Sequence, residues 1–280
     1  MNYIFSLTTI PTRLSYVGGI SVYNCLDSLL NQNTSVSYEI HFNIPDRIRS
    51  THPATKEIIY KIPEWLVQLS ESNPKLKLFT NLNDLGPITK LYYTVERVKN
   101  PDDIIVVVDD DIIYDKDLLS EHIKNQEKYL NSLVGYDGMD VLNKTYNDWR
   151  DQYCIGVKQD EKVKYLQHWR SVSYKRRYFE DDFFQFVNDH LCWNDDIIVG
   201  GYMGTKRRDR IVTFHPRDRE YIDFMDWENY AFMSFPFIDH AQIKTYDGCD
   251  VFRQDEDTFM QKKSSVIFEK LKKYMDEGYA

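Results

Sequence analysis

"PDDIIVVVDDDIIYDK" (101–116) decides how this chain is read. Residues 103–110 form a continuous apolar, β-branched run that ends in carboxylates. Such a run is expected of a strand buried on both faces, as in a parallel sheet covered by helices. Asp109, Asp110 and Asp111 then follow one another with no cation beside them in sequence. Three carboxylates at the end of a buried strand repel unless something offsets their charge. A divalent cation would do so, and it prefers oxygen ligands. A helix N-cap region and a solvated turn are the bland alternatives. Capping suits Asp115 or Asp117, next to the amphipathic segment 115–133, better than the triplet.

Working outward, "YIFSLTTIP" (3–11), "YEIHFNIP" (38–45) and "KLKLFTN" (75–81) read as three further strands. Helical periodicity fills the gaps: 22–32, 54–72 with an interruption at Pro63, and 86–100 with Pro87 just inside its start. Strand and helix thus alternate four times, which predicts an α/β fold with a mostly parallel central sheet and helices on both faces. Ligands of such sheets bind beyond the carboxyl ends of the strands. "TTIPTR", "NLNDLGPITK" and "DDD" lie at those ends.

The second half is less regular. Residues 135–170 read as a polar and aromatic excursion. "RSVSYKRRYF" (170–179) reads as a strand and 180–190 as a helix. "CWNDDIIVGGYMG" (192–204) places an acidic pair at a helix start and ends in glycines. Residues 210–216 suggest a strand, and 255–278 a closing amphipathic helix.

The chain has 280 residues, 42% of them hydrophobic, enough for one large core. A formal charge of −9 argues against a nucleic-acid partner, which needs a basic face. "KRRDR" (206–210) is local, and reads as a solvated loop or a phosphate contact. Cys25, Cys154, Cys192 and Cys249 are widely spaced without a CxxC, so reduced thiols are expected. The N-terminus enters a strand at once and shows no signal peptide or membrane segment. That predicts a cytoplasmic location, with the sequons at Asn33 and Asn143 unused.

A strand ending in D-x-D also opens haloacid-dehalogenase phosphatases, but there Thr or Val stands where this chain has Ile113. The chain resembles GT-A glycosyltransferases more closely, in ordered segments: "SLTTIPTR" (6–13), "DLGPITKL" (84–91), "VVVDDDIIY" (106–114, the DXD motif), "SVSYKRRYFEDDFF" (171–184) and "CWNDDIIVGGYM" (192–203). Within that family the chain resembles small stand-alone members from large DNA viruses of algae and amoebae, and from bacteria. The resemblance implies one GT-A domain over 1–280, with a nucleotide-sugar half (1–115) and an acceptor half (116–280).

It further implies a UDP-sugar donor, a glycan acceptor and Mn2+ or Mg2+. Xylose, galactose or glucose are candidate sugars. In this family's pattern Asp109 contacts the nucleotide and the metal, Asp111 binds the metal, and Asp110 could contact the donor sugar. Arg13 and Lys90 would reach base, ribose or diphosphate, although Lys90 also fits a solvated helical lysine. Asp84 would accept from uracil or ribose, or cap the following helix. Thr8 and Ile10 would line the base pocket through backbone groups. Asp196 would be the general base of an inverting reaction, with Asp195 as its orienting partner; capping by "NDD" is the bland reading. His240, beside Asp239, is the candidate third metal ligand, with His215 behind it. Trp149, Trp169, Tyr174 and Trp193 could shape the sugar pockets. A retaining mechanism, a metal-dependent phosphohydrolase or nucleotidyltransferase, and an inactive binding relative are the competing readings.

Overall fold

A computed structural model describes residues 1–15, 20–49, 58–139, 160–192, 194–213 and 265–275. Four strands carry the first half: β1 (Tyr3–Thr8), β2 (Tyr38–Pro45), β3 (Leu76–Leu82) and β4 (Ile104–Val107). The helices between them are α1 (Pro11–Ser15), α2 (Ile20–Leu30), α3 (Glu64–Ser72) and α4 (Thr89–Arg97). After β4 come α5 (Leu118–Lys128), β5 (Ser132–Gly135), β6 (Gly138–Met139), β7 (Glu161–Lys162), β8 (Tyr165–Leu166) and β9 (Val172–Lys175). Then follow α6 (Phe183–Asp189), α7 (Asp195–Thr205), β10 (Asp209–Val212) and α8, residues 265–275.

Eight strands form one sheet in the order β3-β2-β1-β4-β9-β5-β10-β7. β1 to β4 are mutually parallel, and so are β5 and β10. β9 is inserted antiparallel between β4 and β5, and β7 closes the edge antiparallel to β10. The α/β class and the mostly parallel sheet are therefore as the sequence predicts. Among the described residues no helix is long and apolar enough to cross a membrane.

Burial of both faces explains why β4 is apolar throughout. Phe5, Leu7, Val106 and Val108 point to one face, where α2, α3 and α5 cover them. Ile4, Ile105 and Val107 point to the other, under α4, α7 and α8. Each such side chain contributes roughly 1.5–3 kcal/mol when fully buried.

The second half departs from the sequence reading in places. The described ends of the 135–170 excursion are ordered strands: β6 and β8 pair with each other, and β7 joins the main sheet. The strand expected over 170–179 is only β9, because Arg176–Tyr178 closes into a 3-10 turn. Of the helix expected over 54–72, residues 54–57 lie outside the described residues, and in the described part the helix starts after Pro63, which stands in extended conformation at its N-cap.

The glycines of "DDIIVGGYMG" do not end their helix; α7 runs through them to Thr205. They permit close packing against α8. A Cβ on Gly204 would lie 2.2 Å from the Tyr274 carbonyl oxygen, and one on Gly201 2.7 Å from Leu271 Cδ1. Gly204→Ala should therefore destabilise the protein by about 1–3 kcal/mol through overpacking, read as a lower urea midpoint. An unchanged midpoint would show that α8 can move aside at no cost.

Candidate active site

Beyond β4 the chain keeps the strand's alternation, with the Val108 N–H still bonded to the Ser6 carbonyl at 3.1 Å. Asp109 consequently turns toward the α4 face and Asp110 toward the α1 face. Lys90 Nζ meets Asp109 Oδ1 at 2.5 Å. The Arg13 guanidinium spans the other two acids, pairing with Asp110 and donating from Nη2 to Asp111 Oδ2 at 2.8 Å. The Asp110 side chain is 4% exposed, whereas Asp109 and Asp111 keep 31% and 23%, so the outer two are the ones a ligand can reach.

The turn after the strand is pinned from behind. The Asp109 N–H donates to the Tyr114 hydroxyl at 2.8 Å, and that hydroxyl donates to the Trp169 carbonyl at 3.0 Å. Lys90 is equally well supported. Its carbonyl accepts from the Ser6 hydroxyl and from Asn43 Nδ2 (2.9 Å), and Asn43 also bonds Thr94 and Arg97. This buried polar network fixes the first turn of α4 against β1 and β2.

The acidic pair comes from the start of α7. Asn194 is the N-cap, its Oδ1 accepting from the Ile197 N–H at 3.0 Å, which leaves Asp195 and Asp196 in the first turn. Asp195 Oδ2 receives two cations, Lys90 Nζ at 2.9 Å and His168 Nδ1 at 2.6 Å. Asp196 Oδ1 accepts the His168 backbone N–H at 2.9 Å. The second His168 nitrogen, Nε2, meets the Tyr174 hydroxyl at 2.7 Å.

His168 had no signal in the sequence. It reaches the site because β9 is antiparallel. Val172 pairs with Val107, so the residues just before Val172 lie at the carboxyl end of β4. Ser171 makes the corner at φ 82, a left-handed conformation that is uncommon without glycine, and its hydroxyl lies 2.7 Å from His122 Nε2. Asp137, after β5, was also unforeseen. It accepts the Trp169 indole N–H at 2.6 Å, and burial pushes its carboxyl up to about 7.

Five carboxylates (Asp109, Asp110, Asp111, Asp195, Asp196) face three cations, Arg13, Lys90 and protonated His168. Two negative charges are in excess. Burial opposes the charge on His168, but Asp195 and Asp196 outweigh it and hold the imidazole at about 9. Lys90 likewise stays charged against burial, because Asp109 and Asp195 raise it. Asp195 resists burial through Lys90 and His168 and lies below the ordinary carboxylate range. Asp196 lies above that range, through burial and the neighbouring Asp195 charge. Burial likewise raises Asp111 to about 6 despite Arg13. Asp110 Oδ2 is buried without a hydrogen-bond partner among the described residues.

The fold thus brings together Arg13, Lys90, Asp109, Asp110, Asp111, Asp195 and Asp196. Thr8 donates to the Asn43 carbonyl at 2.7 Å, and Ile10 is exposed just past β1. Asp84 accepts two backbone N–H groups, from Gly86 (2.7 Å) and Arg49 (2.9 Å), and so clamps the loop before α4. α4 takes Ile88, not Asp84, at its N-cap position. His240, Asp239, His215, Trp149 and Trp193 lie outside the described residues. His168, Asp195 and Asp196 offer ligand atoms within 4.8 Å of one another. The Lys90 ammonium also bonds Asp195 there.

No protein-family model and no curated protein matches the chain. Solved structures do match it in part. The crystal structure of S. aureus TarS 1-349 in complex with UDP-GlcNAc is 14% identical at a TM-score of 0.48, over 75% of this chain and 56% of that one. A mannosyltransferase from Pyrobaculum calidifontis, in complex with GDP-Man and Mn2+, is 13% identical at 0.44, over 77% and 54%. GalNAc-T7 with UDP, GalNAc and Mn2+ is 11% identical at 0.49, over 91% and 54%. The chain spans little more than half the length of each of these three.

Proposed function

We propose that the protein is a metal-dependent, inverting glycosyltransferase of the GT-A type. It would transfer a sugar, with xylose, galactose and glucose as candidates, from a UDP-sugar to a hydroxyl of a glycan acceptor. One observation carries this reading. Two acidic groups of unequal character face each other at the carboxyl edge of a parallel sheet, with Lys90 between them.

The triplet fits the donor side. Asp109 and Asp111 offer accessible carboxylate oxygens, the donor type that Mn2+ and Mg2+ prefer. The crowded negative charge and the orphaned Asp110 Oδ2 suit a further cation. When bound, such a cation supplies charge neutralisation at the diphosphate leaving group. Arg13 pairs with Asp110 and Asp111 and would keep them in place for it, with His240 as a candidate third ligand. Thr8, Ile10 and Asp84 lie at neighbouring strand ends, where a base and ribose would sit.

The pair fits the acceptor side. Asp195 Oδ2 is held by both Lys90 and His168, which suits an orienting role rather than a reacting one. Among the described residues Asp196 is seen to bond His168; it is the more exposed of the two and lies above the ordinary carboxylate range. These are the attributes of a general base. Asp196 would take the proton of the acceptor hydroxyl as that oxygen attacks the anomeric carbon opposite the diphosphate.

Incubation with a panel of UDP-sugars and Mn2+, with and without glycan acceptors, should release UDP for one donor. Asp111→Ala should abolish Mn2+-dependent UDP binding, followed by calorimetry; binding that survives the change would sink the donor-side assignment. NMR of the product should show an inverted anomeric centre, and a retained one would overturn the role of Asp196.

A further inference from the structure

We propose that Lys90 is a positioning residue that couples the two halves of the site, so that a cation on the acid triplet sets the state of the acid pair. This rests on the metal-dependent reading above. Lys90 Nζ is 2.5 Å from Asp109 Oδ1 and 2.9 Å from Asp195 Oδ2. Its neighbours do not share this position. Arg13 pairs with Asp110 and Asp111, and His168 with Asp195 and Asp196. Among the described residues, Lys90 is the cation seen to pair with both groups.

The two carboxylates stand on rigid supports, the end of β4 and the first turn of α7. The backbone of Lys90 is fixed too, by the Ser6 and Asn43 bonds to its carbonyl. What can move is the ammonium, a compact charge on a flexible four-carbon stem with three donors. The side chain is nearly fully buried, so water offers it little alternative. Were a divalent cation held by Asp109, the Lys90 ammonium would share that carboxylate with a like charge and would favour Asp195. Asp195 is then held by Lys90 and His168 together, and Asp196 is left as the proton acceptor facing the acceptor hydroxyl. The acceptor side would be set only once the donor side is loaded.

Coupling of this kind is reciprocal: what changes Lys90's hold on Asp195 must change metal affinity at Asp109. The test needs neither donor nor acceptor. Free Mn2+ is titrated with the whole chain and followed by electron paramagnetic resonance, for the wild type, Asp195→Asn, Lys90→Met and the double variant. Asp195→Asn leaves Lys90 with Asp109 as its one remaining carboxylate, so Mn2+ binding should weaken about five- to tenfold. In the Lys90→Met background the same change should matter less than about twofold, because the path is gone. If Lys90→Met fails to fold by circular dichroism, Lys90→Gln, which keeps a hydrogen-bond donor, replaces it. Equal weakening in both backgrounds would mean direct through-space attraction and would overturn the relay alone, as would no weakening in either. Failure of the wild type to bind Mn2+ would overturn the metal-dependent reading and the relay with it.

Discussion

Asp196→Asn should lower kcat by about 10²–10⁴-fold, the range a positioned general base contributes, while UDP and Mn2+ binding stay unchanged. The amide keeps the shape and the bond from the His168 N–H but cannot take a proton. The donor side lies across Lys90 and does not touch Asp196, so the loss should fall on the chemical step. The pH profile adds a second readout. A base works only when deprotonated, so activity is full above its pKa and falls as pH drops through it. Burial and the Asp195 charge hold Asp196 above the ordinary carboxylate range, so the acid limb should lie above that range too. Asp195→Asn removes the neighbouring negative charge and should move the limb downward. A variant that keeps kcat, or a greater loss in Asp195→Asn than in Asp196→Asn, would exchange the roles of the two acids.

Why the acid pair was open to sequence reasoning and its partner histidine was not is a matter of strand direction. β4 is legible because a strand buried on both faces is apolar at every position, and "DIIVVV" has no other comfortable reading. The acids at its end inherit their address from the rule that open parallel sheets bind at their carboxyl edge. Arg13 and Lys90 follow for the same reason, being the first cations after β1 and at the start of α4. A strand's direction, however, leaves no mark on its own periodicity. "SVSYK" alternates identically whether it runs with β4 or against it. Only the antiparallel insertion of β9 carries His168, Trp169 and the strained Ser171 to the site. The glycines of α7 misled for a related reason. Their purpose is the close approach of α8, a tertiary contact, while locally glycine reads as a helix terminator. Asp84 is intermediate. Its position beside "GPITK" is legible, but the second backbone N–H it accepts comes from Arg49, far off in sequence.

Arg13→Met should cost about 3–5 kcal/mol of stability, the range for breaking a buried ion pair by removing one partner. The cost arises mainly at Asp110. Its side chain is almost fully buried, one of its oxygens already lacks a partner among the described residues, and Arg13 is the cation on the other. Asp111 loses the same guanidinium but is about a quarter exposed, and water screens much of that loss. The two halves can be separated. Asp110→Asn in the Arg13→Met background should recover most of the deficit, because an amide costs far less to bury than a carboxylate. Asp111→Asn in that background should recover little. Urea unfolding of the wild type and the three variants measures all of this. A loss below about 1 kcal/mol would place the pair with exposed surface bridges. Arg13 would then not be the fixed support of the triplet, and Asp110 would have to be held by some other group.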